Sequence, residues 1–284
     1  MTKKALLTGS TGGLGREIAK ILARDGWDLI LLNRGREQAG EQLESLRAEF
    51  PKRMFENFFT NLMDLKDIQK VAREIGEAHH QITALYNIAG LLTDKRIESP
   101  QGIEGHFVLN AVAPYMLIQA LRPKLKNAAG TETAAFVVNF SSSAVNNVKT
   151  LDATKLVNPD TIGGLMDAYA KTKAVLNLMS CFLKDELVAD GIYIYSVDPG
   201  ATKTQMTSKN RGMPWLVRLL VPLLFGDAEK QAGKLVAGVH RALEEKETGL
   251  FISSGKVKNH PSFVHDRGVQ EEVRKVLDSL IEDF

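Results

Sequence analysis

Tyr169 and Lys173 stand four residues apart in the stretch DAYAKTKAVLNLMS. On a helix, positions i and i+4 share one face with Cβ atoms about 5–6 Å apart, so a phenol and an ammonium at this spacing can meet at one point. An unperturbed phenol, with a pKa of about 10, is a poor proton relay at neutral pH. A positive charge held within about 4–6 Å stabilises the phenolate and lowers that value, which suits Tyr169 to general acid or base work. The same spacing arises by chance as a half-buried tyrosine beside a solvated lysine, and the rest of the chain decides between the two.

The opening residues KKALLTGSTGGLGREIAKILARDG read as a short apolar strand at Ala5 to Leu7, a glycine-rich turn, and a helix with Ile18, Ala19, Ile21 and Leu22 at helical spacing. Free N–H groups and the helix dipole at such a turn make an anion site. Gly9, Gly13 and Gly15 permit a tight turn, close approach of the backbone to a pyrophosphate, and helix packing. A glycine turn that binds no nucleotide is the alternative. The next strand, WDLILLNRGRE, ends in Asn33 and Arg34, with Arg36 close by and no carboxylate before Glu37. In a dinucleotide fold an acid at this place binds the ribose 2′-hydroxyl and an arginine accommodates a 2′-phosphate. The planar guanidinium suits phosphate, which favours NADP over NAD.

These motifs, with four more in order, resemble the short-chain dehydrogenase/reductase family over nearly the whole chain. TGSTGGLG at Thr8 to Gly15 resembles the cofactor turn, YNIAG at Tyr86 to Gly90 the Asn-Asn-Ala-Gly motif, and HFVLNAVAPYMLIQAL places Asn110 at the family's helix asparagine. VVNFSSSA places Ser142 at the catalytic serine, YAKTK matches the Tyr/Lys pair, and VDPGATKT at Val197 to Thr204 matches the proline-glycine segment against the nicotinamide. Two positions depart. Ile88 replaces the second asparagine of its motif, and Asn61 stands where many members carry an adenine-contacting aspartate, although its amide oxygen can still accept a hydrogen bond.

The resemblance implies NADP(H) contacts from Gly9, Ser10, Thr11, Gly13, Leu14, Gly15, Asn33, Arg34, Asn61, Leu62, Asn87, Ala89, Gly90, Tyr169, Lys173, Pro199, Gly200, Thr202 and Thr204. It implies that Ser142 hydrogen-bonds the substrate oxygen, that Tyr169 exchanges a proton with that oxygen, and that Lys173 lowers the phenol's pKa and holds the nicotinamide ribose. Asn110 would bend its helix and position a relay water. The competing readings are a loop hydroxyl for Ser142, a helix kink for Asn110 and a helix N-cap for Thr204.

At 284 residues and a net charge of +2 the chain suits one α/β domain spanning 1–284 and predicts no nucleic-acid partner. Strands near 4–8, 27–33, 54–59, 82–88, 134–140, 192–197 and 249–253 alternate with helical patterns, which predicts a Rossmann-type doubly wound parallel sheet of about seven strands with helices on both faces. The single cysteine, Cys181, reads as core and leaves no disulfide or zinc set. His79 and His80 read as a polar helix end, with no companion set for a metal. An N-terminus that reaches its first strand within a few residues predicts no signal peptide or anchor, and a cytoplasmic enzyme. The long helical stretches near 101–125 and 165–189 match those that commonly pair between subunits in the family, which implies a homodimer.

Twenty-six residues separate Ser142 from Tyr169, about twice the family's usual spacing, an insertion near 143–165 that looks like the retinol-dehydrogenase-like subgroup. The apolar run Met213 to Phe225, within 205–227, is too short to span a bilayer and reads as a lid over an apolar substrate, a core helix or an interfacial membrane contact. The expected function is NADP(H)-dependent interconversion of a carbonyl and an alcohol on a lipophilic small molecule. The alternatives are a catalytically silent NADP-binding regulator and a carbon-carbon double-bond reductase.

Overall fold

The computed structural model describes residues 2–93, 95–130, 134–158, 160, 164–200 and 226–284. Thr202, Thr204 and residues 205–225 of the expected lid lie outside these. Strands β1 Lys4–Thr8, β2 Asp28–Asn33, β3 Phe55–Phe59, β4 Ala84–Asn87, β5 Ala135–Phe140, β6 Ile192–Asp198, β7 Leu250–Ser253 and β8 Lys256–Lys258 form one sheet in the order β3-β2-β1-β4-β5-β6-β7-β8. Every pairing is parallel except β7 with β8.

The seven expected strands are present, and β8 is an addition that the apolar pattern did not show. Its three residues, Lys-Val-Lys, carry no buried run, and it exists because Ser254 at φ 48° and Gly255 at φ 78° make the left-handed pair of a tight hairpin turn. Two lysines on so short an edge strand also discourage pairing with another chain.

The helices are α1 Gly13–Arg24, α2 Arg36–Glu49, α3 Leu65–Ala78, α4 Gly105–Phe107, α5 Ala113–Ala129, α6 Thr154–Val157, α7 Leu165–Phe182, α8 Lys184–Ala189, α9 Ala228–Glu244 and α10 Arg267–Ile281. Successive strand residues point to opposite faces, so a single strand feeds two cores. Leu6, Ile30, Leu32 and Leu85 pack with α3, α5 and α7, whereas Leu7, Leu29, Leu31 and Tyr86 pack with α1, α2 and α9. Burial on both faces is why these strands read as continuous apolar runs. The parallel register sets Thr8 opposite Asn87, Asn87 opposite Asn139, and Asn139 opposite Ser196. The exits of β1, β4, β5 and β6 are therefore level, and the chain's direction of travel across the sheet reverses between β1 and β4, where such folds open a crevice.

His79, expected at a polar helix end, caps the C-terminus of α3, but its ring is buried, with Nδ1 3.2 Å from the Lys4 ammonium. Cys181 is half-buried against the core, and burial pushes its thiol up to about 11. No helix among the described residues is long and apolar enough to cross a membrane.

Helix α10 presents Val269, Val273, Val276, Leu277, Leu280 and Ile281 to the core on the α7 side, and keeps Arg267, Glu271, Lys275 and Asp278 outward. Asp278 accepts a hydrogen bond from the Tyr115 hydroxyl of α5, and Arg274 pairs with Glu186 of α8. Leu277 is fully buried in this contact. We expect Leu277→Ala to cost about 2–5 kcal/mol, read as a lower urea midpoint at unchanged slope. A loss within about 0.5 kcal/mol, the range of ordinary surface substitutions, would mean that α10 is not packed as described.

Candidate active site

Three consecutive serines follow β5, and the fold gives each a different environment. Ser141 is buried, its Oγ 2.5 Å from Asn177 Oδ1 and 3.0 Å from the carbonyl of Lys173. Ser143 is exposed. Ser142 caps a 3-10 turn over Ser143–Asn147, accepting from Ala144 N at 3.2 Å, and its hydroxyl hydrogen-bonds the Tyr169 phenol. Of the three serines, Ser142 is therefore the one that meets Tyr169.

Tyr169, Lys173 and Asn177 recur every four residues along α7. The Lys173 ammonium donates to the carbonyl of Phe140 at 2.6 Å and lies 5.8 Å from the Tyr169 ring centroid. A Cβ built on Gly90 would fall 3.2 Å from both Lys173 Nζ and Asn110 Oδ1, so the glycine after β4 lets backbone lie directly over these two side chains. Asn110 sits in a π-turn, Val108–Val112, the kind of helix irregularity that the resemblance implied. Its side chain grips the backbone of one residue on both sides, accepting from Leu91 N at 2.7 Å and donating to Leu91 O at 3.0 Å, and it also donates to Thr172 Oγ1 at 3.1 Å.

The electrostatics differ from the expectation that Lys173 lowers the phenol's pKa. Burial pushes Tyr169 above its ordinary value; the hydrogen bond from Ser142 opposes this, and the nearby Asp198 carboxylate adds to it. Lys173 is itself pushed down to about 7 by burial. With its own charge disfavoured by burial, Lys173 acts on the phenol less than a fixed positive charge would, and Ser142 is the group that favours the phenolate here.

The glycine turn has the shape of a cradle. Gly9 has φ 65°, and a Cβ there would lie 3.0 Å from Ala89 Cα; a Cβ on Gly15 would lie 2.4 Å from the Gly9 carbonyl. Helix α1 begins at Gly13 with no side-chain cap, while Thr11 is half-buried and Leu14 buried at its mouth. Asn87 donates to Asn139 Oδ1 at 2.8 Å and leaves its own buried Oδ1 without a partner, as is the buried Thr60 Oγ1 after β3. A shallow indentation at the β1/β4 crevice is lined by Thr8, Leu62, Asn87 and Ala89 among others. The unpartnered Asn87 oxygen in this crevice at the strand exits fits a bound polar ligand.

Ser10 and Asn33 do not face this crevice freely. Ser10 Oγ lies 3.1 Å from Asn33 Oδ1 and 2.9 Å from Gln42 Oε1, Gln42 returns a bond to Ser10 O at 2.9 Å, and Asn33 donates to Asn57. They brace the turn from below. Asn61 Oδ1 accepts from Met63 N at 3.2 Å and is engaged locally. Arg34 is exposed beyond β2 and has no ion pair among the described residues, while Arg36 lies 4.3 Å over the Phe59 ring. Gly200, at φ 71°, donates to the Asp198 carboxylate at 3.0 Å, which also accepts from Ser253 at 2.8 Å, so the Pro199-Gly200 segment is fixed to the end of β7.

Several positioning residues escaped the sequence reading. Thr8 Oγ1 accepts from both Ile88 N and Ala89 N at 3.0 Å and shapes the exit of β4; its place at the start of the glycine motif was the available signal. Glu104 and His106 are buried together, Nδ1 to Oε1 2.8 Å, and His106 Nε2 accepts from Thr93 N at 3.2 Å. With Asn110 at Leu91, they hold the loop after β4 at two points. Gln42 and His106 carry no sequence signature, because they act on Ser10 and Thr93, which are distant in the chain. Much of the insertion is anchored as well: Val145, Leu151, Ala153 and Leu156 enter the core, and Ala153 N donates to Glu272 of α10 at 3.0 Å.

The doubly wound sheet defines a dinucleotide-type α/β fold, and the comparisons agree. Residues 3–154, just over half of the chain, match the short chain dehydrogenase family, and the chain belongs to that family. It is 29% identical to mouse (Mus musculus) polyprenol dehydrogenase over 82% of this chain and 70% of that protein, and 27% identical to human (Homo sapiens) retinol dehydrogenase 11 over 96% and 80%. Among solved structures, an NADPH-bound carbonyl reductase from chicken fatty liver superposes with TM-score 0.69 at 23% identity, covering 90% of this chain and 98% of that one.

Burial of Lys173 has a measurable cost. Its folded value, about 7, lies below the ordinary 10.5, so the unfolded chain binds more proton between the two and stability rises with pH across that window. We expect the unfolding free energy of the wild type, relative to Lys173→Met, to climb between about pH 7 and 10 in urea titrations. Parallel pH profiles for the two proteins would contradict the buried amine.

Proposed function

We propose that this chain is an NADP(H)-dependent oxidoreductase that interconverts a carbonyl and an alcohol on a lipophilic small molecule, with the whole chain working as one cytoplasmic domain. The observation that carries the reading is the meeting of the Ser142 and Tyr169 hydroxyls beside Lys173 and beneath Gly90. When bound, the cofactor supplies or accepts the hydride.

The glycine turn from Gly9 to Gly15, with Thr11 and Leu14, would hold the pyrophosphate, and Arg34 the 2′-phosphate. Leu62, Asn87, Ala89 and Gly90 would line the middle of the dinucleotide, Lys173 and Tyr169 the nicotinamide ribose, and Pro199 and Gly200 the nicotinamide. Ser10 and Asn33 support the turn from below, and Asn61 contributes the backbone next to Leu62. Thr202 and Thr204, which lie outside the described residues, stay in this reading as cofactor contacts, Thr204 to the carboxamide or the pyrophosphate.

The substrate oxygen would accept hydrogen bonds from Ser142 and Tyr169 together. In reduction that oxygen gains negative charge, and Tyr169 gives it the phenolic proton; in oxidation the proton returns. A phenol held above its ordinary pKa is fully protonated at neutral pH, so the acid needed for reduction is ready without prior ionisation. Asn110 keeps the Leu91 peptide in place beside Lys173 and thereby fixes the wall over the ribose site. The relatives named for polyprenol and retinol support a lipophilic substrate, and the NADPH complex of the chicken carbonyl reductase supports the cofactor.

A homodimer is the assembly expected from the resemblance, through α5 and α7. Helix α10 packs on α7 and bonds to Tyr115 of α5, so it takes up part of the surface that these two helices would offer a partner.

Titration with NADPH and NADH, followed by turnover on long-chain aldehydes, ketones and alcohols, tests the reading. We expect NADPH to bind more tightly, Arg34→Ser to weaken NADPH by about 10–100-fold while leaving NADH little changed, and Tyr169→Phe to lower kcat by roughly 10²–10⁴-fold. Tighter binding of NADH, or wild-type turnover in Tyr169→Phe, would overturn it.

A further inference from the structure

A hydrogen-bonded chain runs from the serine loop to a histidine near the far end of the sequence. His260 Nε2 lies 2.9 Å from the carbonyl of Gly249, its Nδ1 lies 3.2 Å from Asn177 Nδ2, and Asn177 Oδ1 lies 2.5 Å from Ser141 Oγ. The directions follow from one fact, that a carbonyl only accepts. Nε2 therefore carries the proton of the neutral ring, Nδ1 is the acceptor, and the amide nitrogen of Asn177 donates to it, which turns the amide oxygen toward Ser141; the single Ser141 proton has two acceptors, that oxygen at 2.5 Å and the Lys173 carbonyl at 3.0 Å, and the nearer is the Asn177 oxygen. The neutral imidazole fits because burial disfavours the charged ring more than the Gly249 carbonyl favours it, with His265 and Lys184 acting in the same sense as burial.

The members of this chain touch both halves of the site. Ser141 is joined by one peptide bond to Ser142, and Asn177 lies one turn beyond Lys173 and two beyond Tyr169 on α7. The β7–β8 hairpin returns the chain antiparallel to β7, with Lys258 opposite Phe251, and so brings His260 back to Gly249 at the start of β7. The Phe251 ring, 5.8 Å away, and the His265 ring, 5.7 Å away, fix the imidazole plane.

We infer that His260 is a positioning residue for the reaction: through Asn177 it sets the place of the Ser141–Ser142 peptide relative to Tyr169 and Lys173. The inference rests on the proposed role of α7 as carrier of the reacting groups. A shift of about 1 Å in such a group can cost 10²-fold in rate, and a partial loss of register is smaller. His260 touches neither cofactor nor substrate.

The two ring nitrogens can be separated by substitution. His260→Asn keeps an acceptor near the place of Nδ1, and His260→Gln keeps a donor near the place of Nε2. We expect His260→Ala to lower kcat about tenfold with KM and NADPH affinity little changed, His260→Asn to recover most of the loss, and His260→Gln to recover little. Wild-type kcat in His260→Ala, or His260→Asn no better than His260→Ala, would overturn the inference, as would rescue by His260→Gln alone, which would mark the bond to β7 as a purely structural anchor. Thermal melts of the three variants separate these outcomes from unfolding.

Nitrogen-15 NMR of the histidine rings tests the chain without turnover. The Nε2–H tautomer is expected in the wild type, with the Nδ1 resonance of His260 moving in Asn177→Leu. A Nδ1–H ring, or no change in Asn177→Leu, would overturn the inference. Absence of turnover in the wild type with the expected NMR result would instead count against the proposed function.

Discussion

An amine that is to sit among backbone carbonyls and apolar side chains must be hydrogen-bonded, or burial would exclude it altogether. Lys173 meets that requirement at the point where three segments converge: the end of β5 supplies the Phe140 carbonyl, the loop after β4 supplies Gly90, and α7 supplies the lysine itself. A side chain at Gly90 would crowd both Lys173 and Asn110. Asn110, held against the Leu91 peptide in its π-turn, keeps that loop at the right height. The site is thus defined by what is needed to keep one amine out of water and partnered.

The same constraint accounts for the electrostatics. Burial that suppresses the charge of Lys173 also raises the Tyr169 phenol, and Ser142 is left as the group that favours its ionised form. Asp198, which fixes the Gly200 turn through its carboxylate, acts on the phenol in the opposite sense. A ligand bringing negative charge to Lys173 would restore the ammonium, so the balance at Tyr169 is set partly by what occupies the crevice. The level strand exits and the unpartnered Asn87 oxygen give such a ligand its place.

What the sequence disclosed depended on range. Tyr169 and Lys173 were legible because a helix brings i and i+4 together, and the glycine turn because a strand, a bend and a helix follow within a few residues. The buried strands showed themselves as apolar runs. Ser142 required the resemblance, since nothing local distinguishes three serines; the fold separates them by consuming Ser141 with Asn177. Ser10 and Asn33, read as cofactor contacts, turned out to be joined to each other and to Gln42, a pairing across two elements that no pattern reports. Strand β8 was missed because its stability comes from a turn and a neighbour rather than from apolar residues of its own, and His260 with it. Residues 143–165 drew attention as an insertion, yet Val145, Leu151 and Leu156 spend their apolar surface on the core.

In the proposed reaction Tyr169 is the proton donor and acceptor for the substrate oxygen, in a site where burial keeps its phenol protonated. The most direct measurement is the pH dependence of the hydride-transfer rate in both directions, by rapid mixing with saturating cofactor and substrate. The account requires reduction to be flat through neutrality, oxidation to rise with pH as the phenol ionises, and the rise to vanish in Tyr169→Phe. An oxidation rate that does not change with pH, or one that rises identically in Tyr169→Phe, would contradict it.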